Sequence, residues 1–196
     1  MSIKKQVSEN NGIYFITFTC YKWMHLINTV NGHDMIYEQL DHLKKQGHFI
    51  VGYVIMPNHL HLLIAFKNTG KTINRIIGNV KRFMAYEIVK RLKELNAQPV
   101  LAVLAEGVNA TDKSPGKLHE VFEPSFDCKE CRSKKFIDQK LNYIHANPCA
   151  GKWNLAVSPV AYKHSSALFY ITGDQGVYEV TNFLALEDID LVTLAE

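Results

Sequence analysis

The sequence predicts a single α+β domain built on an antiparallel sheet with helices packed against it. Three observations carry this expectation. Short runs of β-branched and aromatic residues recur along the chain, segments of helical apolar spacing separate them, and a Met-Pro-Asn turn signal joins two adjacent runs. The 196 residues are 47% hydrophobic and 21% charged, which suits one domain with one sizeable core.

Gly12 to Cys20 (GIYFITFTC) reads as the first strand. Asn31 to Gln46 carries Met35, Ile36, Leu40 and Leu43 at helical spacing and closes at Gly47. Phe49–Ile55 and His59–Phe66 are two strands joined as a hairpin through Met56-Pro57-Asn58. Thr72–Leu95 is the longest helix, with Ile73, Ile76, Ile77, Val80 and Met84 on one side, and Val100–Leu104 is read as a fourth strand. Strand, helix, strand, strand, helix, strand is the order of a split βαβ unit, a ferredoxin-like antiparallel sheet with its helices on one face. Glu106–Pro124, with Ser114-Pro115-Gly116, reads as loop. Ser133–Asn147 is a further helix, with Ser133 as N-cap. Pro148 disfavours helical geometry at Asn147 and so ends it. Residues 1–171 are taken as the main domain and 172–196 as an acidic C-terminal extension.

Charge is unevenly spread. Beyond Lys163 there is no Lys or Arg, but there are six acids, Asp174, Glu179, Glu187, Asp188, Asp190 and Glu196. Removing their −6 from a net +3 leaves +9 on residues 1–163, a body suited to a polyanion, although a solvated surface carries such charge equally well. No apolar run approaches a membrane span. Met1-Ser2-Ile3-Lys4-Lys5 leads to no apolar signal core, so a cytoplasmic location is expected. The four cysteines are expected as free thiols there, and Cys128-Lys129-Glu130-Cys131 is only half of a tetrahedral zinc site.

The chemistry concentrates at His59-Leu60-His61. Alternation along a strand puts both imidazoles on one face and sends Leu60 into the core. Two imidazoles on a rigid strand are half of a divalent metal site, although His-x-His alone is more simply a hydrogen-bonded surface pair. On the Ser133–Asn147 helix, Ile137, Leu141 and Ile144 form a narrow apolar stripe. Tyr143 and Asn147 lie about 80–120° to one side of it, one turn apart. If that edge meets the histidine strand, two imidazoles and an amide oxygen leave positions on Mg²⁺ or Mn²⁺ for phosphate oxygens and water. A tyrosine beside such a cation is a usable nucleophile once positive charge helps remove its proton. Spacing alone favours Tyr143 as a packing residue, because it cannot bring helix and strand together. The rival tyrosine is Tyr86, on the outer face of the long helix beside Arg75, Asn79, Arg82 and Lys93. Cations, an amide and an aromatic suit a nucleic-acid backbone and a stacked base, so these five are candidate DNA contacts, with a solvated face as the alternative.

Three ordered blocks, Met56-Pro57-Asn58-His59-Leu60-His61-Leu62-Leu63, Lys140-Leu141-Asn142-Tyr143-Ile144-His145-Ala146-Asn147-Pro148 and Tyr162-Lys163-His164-Ser165-Ser166-Ala167, resemble a known family. It is that of the single-tyrosine HUH transposases of the insertion-sequence 200/605 type, and within it most nearly the REP-associated tyrosine transposases. The likeness spans roughly residues 12–170 and implies the IS200-like transposase fold. It implies that His59 and His61 are metal ligands, Asn147 the third ligand and Tyr143 the nucleophile. It further implies cleavage of single-stranded DNA beside REP-like hairpins through a 5′-phosphotyrosine, with a freed 3′-hydroxyl able to reverse the step. Relatives include monomers and dimers that exchange the tyrosine helix, so a homodimer is compatible. The chain departs from the family at Val121–Cys128, which stands where relatives often carry a tryptophan and a basic or histidine-rich segment; Glu123 and Asp127 there would oppose phosphate binding. Two competing functions remain open from the sequence: a domesticated DNA-binding protein without catalysis, and a small metallohydrolase indifferent to Tyr143.

Overall fold

Strand β1 (Gly12–Thr19) occupies the interior of the sheet, and its alternation sets the two sides of the molecule. In the computed structural model, which describes residues 10–109 and 116–186, the sheet order is β2-β3-β1-β4 with every neighbouring pair antiparallel. Strands β2 (Phe49–Met56) and β3 (His59–Phe66) form the expected hairpin, closing on the Met56–His59 pair. Met1–Lys5, Ser114-Pro115 and the acids Glu187, Asp188, Asp190 and Glu196 lie outside the described residues.

The fourth strand differs from the sequence expectation. Val100–Leu104 lies inside a helix, Gln98–Glu106, rather than a strand. Val100 and Val103 favour a strand, but Ala102, Leu101, Leu104 and Ala105 are strong helix formers and Pro99 is preset for a first turn. Leu101 and Leu104, one turn apart, are the buried pair. The true β4 is Asp127–Glu130, pairing Thr17 with Asp127 and Tyr14 with Glu130. A short, charged edge strand has no apolar alternation to betray it.

The main helices, in chain order after the single turn α1 (Leu26–Thr29), are α2 (His33–Lys45), α3 (Ile73–Glu94), α4 (Gln98–Glu106), α5 (Lys134–Ala146) and the short α6 (Ala167–Thr172). Helices α2 and α3 cover one face of the sheet, over Tyr14, Ile16 and Phe18 of β1 and Leu60, Leu62 and Ile64 of β3. Helix α5 covers the opposite face, where Ile137, Leu141 and Ile144 pack on Phe15, Val51, Val54 and Leu63. Burying each of those three α5 side chains stabilises the layer by roughly 1.5–3 kcal/mol. Ser133 caps α5 by accepting the Phe136 N–H, and beyond the helix the chain makes a 3₁₀ turn over Asn147–Cys149.

Gly52 lies close against the side chains of α5. A Cβ there would stand 2.6 Å from Leu141 Cδ2 and 3.4 Å from Ile144 Cδ1, so a larger residue requires the end of the Leu141 side chain to move. The outer edge of β2 is covered rather than open. Ile55 N–H donates to His164 O, Ser166 N–H to Tyr53 O, and Thr181 N–H to Ile50 O. Tyr178 follows onto the core, its ring stacked on Tyr37 at 5.3 Å and its hydroxyl donating to Asp41.

Candidate active site

Side-chain alternation in β3 places His59 and His61 on the α5 face, beside Leu63 and Ala65. The β1 register sets Thr17 opposite His61 and Thr19 opposite His59. Both imidazoles are nearly covered, at 5% and 4% exposure, and their ring centroids are 4.7 Å apart. Asn147, at the end of α5, brings its amide Nδ2 within 2.8 Å of His61 Nε2. The Tyr143 ring lies 5.3 Å from the His61 ring and is 52% exposed. Strand and helix therefore meet within one chain, with a solvent-facing phenol beside a sunken imidazole pair.

The hydrogen-bond network sets both tautomers. Asn58, 1% exposed at the hairpin turn, donates its amide to Trp23 O at 2.8 Å, leaving Oδ1 to accept from His59 Nδ1 at 2.6 Å. At His61, Asn147 donates to Nε2, so Nδ1 carries the proton and donates to Thr17 Oγ1 at 2.7 Å. Each ring thus keeps a lone pair on Nε2, the arrangement in which an outer partner fixes a metal-ligating imidazole. Burial first, then Lys152, pushes His59 down to about 4. Burial first, then His59 and Lys140, pushes His61 down to about 3. Both are neutral at pH 7, the form that ligates a cation.

These residues fit a divalent ion. The Asn147 carboxamide meets His61 Nε2 at 2.8 Å with the neutral His59 ring 4.7 Å from that of His61, and the amide oxygen reaches the place of Nδ2 by a half-turn of the side chain. Three donors would leave further positions on Mg²⁺ or Mn²⁺ for oxygens of substrate and water. Among the described residues there is no group of three or more His, Cys, Asp or Glu that could hold a metal. Cys128 packs with the α2–α3 core and Cys131 with the α5 core, so the Cys-x-x-Cys pair is divided between two layers.

Several contributors carried no signal in the sequence. Phe15 stacks on His61 at 5.6 Å and carries the Lys140 ammonium 4.7 Å above its own ring. Lys140 is also 5.8 Å from the Tyr143 ring, placing a cation beside the phenol. Trp23 and Trp153 flank His59. Asn58 reads locally as a turn residue and Thr17 as a strand residue; only the folded register gives them their partners.

The five candidate DNA contacts on α3 are elsewhere. The helix buries Ile76, Val80, Met84 and Ile88 against the other face of the sheet, so Arg75, Asn79, Arg82, Tyr86 and Lys93 belong to the layer opposite the histidines. Tyr86 is exposed there near Phe83, and Arg82 stacks on Phe83 at 5.0 Å. No helix among the described residues is long and apolar enough to cross a membrane.

A family model described as "Transposase IS200 like" matches residues 8–103, a span that includes β1 to β3 and the histidine pair and ends before Tyr143. Among solved structures, a REP-associated tyrosine transposase bound to a REP hairpin is similar over 93% of this chain and 93% of its own, at 15% identity and a TM-score of 0.62. That likeness is one of fold. A crystal structure assigned as a transposase, from Deinococcus radiodurans R1, is 15% identical over 74% of this chain and 95% of its own. Its TM-score of 0.39 is too low to support an inference. No curated protein matches the chain.

Proposed function

We propose that this chain, whose residues 8–103 match the IS200-like transposase family model, is a transposase that cleaves and rejoins single-stranded DNA beside hairpins, with Tyr143 as nucleophile. The observation that carries the proposal is the meeting of Tyr143, 5.3 Å from His61, with Asn147, 2.8 Å from the same imidazole. His59, His61 and Asn147 would hold Mg²⁺ or Mn²⁺, of which Mn²⁺ accepts imidazole nitrogen more readily. When bound, the cation polarises the phosphodiester and stabilises charge on its oxygens.

The remaining chemistry belongs to the chain. The Tyr143 oxygen attacks phosphorus and its proton passes to solvent. The P–O3′ bond breaks as the P–O(Tyr) bond forms, leaving the 5′ end on the phenol while the 3′-oxygen takes up a proton. One phosphodiester is exchanged for another, so a 3′-hydroxyl reverses the step without a nucleotide cofactor. Lys140 sets a positive charge where the phosphate approaches, and Phe15 holds that ammonium in place. Burial of the imidazoles with exposure of the phenol suits a strand lying across the surface rather than a small molecule enclosed in a pocket. The α3 face with Arg75, Asn79, Arg82, Tyr86 and Lys93 would track a duplex stem, contributing affinity that falls steeply with salt.

The deciding experiment incubates the protein with a DNA hairpin bearing single-stranded flanks in Mn²⁺ and looks for a denaturant-resistant protein–DNA adduct. Wild type and Tyr86→Phe are expected to form it and Tyr143→Phe to form none. An undiminished adduct from Tyr143→Phe removes Tyr143 as nucleophile, and no adduct from wild type favours the DNA-binding protein without catalysis.

A further inference from the structure

Trp23 is an unusual residue to leave in solvent: its indole is 58% exposed, beside a buried histidine. Its position is also imposed. Lys22 and Trp23 both take positive φ, 50° and 58°, which side-chain-bearing residues rarely adopt. Two side chains from elsewhere in the fold hold this turn. Glu123 accepts the Lys22 N–H at 2.8 Å, and Asn58 donates to Trp23 O at 2.8 Å. Asn58 is the same residue that orients His59, so the tryptophan turn and the imidazole share one anchor.

The second tryptophan arrives from the other side. Trp153, after the 3₁₀ turn that ends α5, lies 5.6 Å from the His59 ring, and Trp23 lies 6.2 Å from it. The exposed Lys152 places its ammonium 5.6 Å from the Trp23 ring and 5.3 Å from the Trp153 ring. Two indoles with a cation near both thus extend the candidate active site at His59, as Tyr143 does at His61. A buried aromatic pair would be core, but an exposed indole on a strained turn contributes little to packing. Flat π-faces beside a phosphate-seeking cation are the elements of a stacking platform for single-stranded nucleic acid.

We propose that Trp23 and Trp153 form the stacking site for an unpaired nucleobase next to the phosphate that reacts at Tyr143, with Lys152 taking that nucleotide's own phosphate. This rests on the transposase reading above and adds to it a positioning element. A base held against the indoles fixes which phosphodiester of the flexible strand lies over the histidines. Every base has a π-face, so the site sets position along the strand more than sequence.

The chain contains two tryptophans, these two, so tryptophan fluorescence, excited beyond the absorption of the nine tyrosines, reports on this site alone. The test titrates the full-length protein, without divalent cation, with a DNA hairpin carrying single-stranded flanks. The flanks are then scanned with a single abasic nucleotide, and adduct formation in Mn²⁺ is followed in parallel. Quenching is expected on binding, with one abasic position beside the cleaved phosphate removing most of it. Trp23→Ala should weaken binding of the intact flank by about 10- to 100-fold, while Trp23→Phe should retain most of the affinity and the abasic sensitivity. An adduct with no quenching, or with quenching indifferent to every abasic position, overturns the stacking site and leaves the transposase reading standing. Position-dependent quenching with no adduct keeps the stacking site and overturns the nucleophile. Absence of both overturns both.

Discussion

His61 Nε2 and Asn147 Nδ2 are 2.8 Å apart although eighty-six residues separate them in the chain. That contact joins the sheet half of the site to the helix half and makes Asn147 the most direct test of the proposed ligand set. Asn147→Ala is expected to lower Mn²⁺ affinity by at least about 10-fold in calorimetric titration, while Asn147→Asp keeps an oxygen in reach and retains binding. Equal affinity in the alanine variant would take Asn147 out of the set.

Thr17 acts one shell further out. It accepts from His61 Nδ1 at 2.7 Å, so Thr17→Val preserves shape and removes the acceptor. Mn²⁺ affinity should fall by about 10- to 100-fold with little change in thermal stability. A large stability loss with unaltered affinity would show that the hydroxyl serves the fold rather than the imidazole.

Gly52 links packing to chemistry. With Leu141 Cδ2 only 2.6 Å from a would-be Cβ, Gly52→Val displaces the Leu141 side chain, and its two methyls press on the α5 packing. The expected cost is about 1–3 kcal/mol in urea unfolding, with adduct formation reduced at temperatures where the variant remains folded. Wild-type adduct yield in Gly52→Val would mean that the position of Tyr143 does not depend on this contact.

A pH dependence arises away from the site. His164 stacks on His33 at 3.6 Å and shares a hydrogen bond with the Tyr37 hydroxyl. Burial first, then His33 and Lys163, holds His164 down at about 4; burial first, then Lys163, lowers His33 against an opposing pull from Asp34. The folded chain therefore binds fewer protons than the unfolded chain below the ordinary histidine value of 6.5. The stability from this pair is fully present above that value and is lost as pH falls toward about 4. His164→Phe keeps an aromatic stack without the titration, so its melting temperature should fall less steeply across that window. Parallel slopes for the two proteins would assign the acid sensitivity to other groups.

Much of the site was legible residue by residue. Strand alternation put His59 and His61 on one face, and helical period put Tyr143 and Asn147 on one edge of the Ile137–Leu141–Ile144 stripe. Ser133 begins the helix as its capping chemistry requires, but Asn147 keeps right-handed helical geometry (φ −55°, ψ −45°) before Pro148 and the chain runs on as a 3₁₀ turn to Cys149. Pro148 thus ends the α-helical ladder through its missing N–H and not by excluding helical geometry at Asn147. The fourth strand is not legible locally because Asp127–Glu130 is charged and made by pairing with β1, whereas Val100 and Val103 mimic a strand inside a helix. Asn58 and Glu123 were unreadable in their anchoring roles, since each bonds to groups distant in the chain.

The sequence by itself determined which side chains share a face, because that follows from periods of two and 3.6 residues within a single element. It also placed the basic body before Lys163 and the acids after it. Only the tertiary structure decided that α5 lies across the sheet face opposite α2 and α3, at the depth Gly52 permits. It likewise decided that Trp23 and Trp153 converge on His59. Those outcomes depend on burial and on pairing between distant segments, and no local period encodes them.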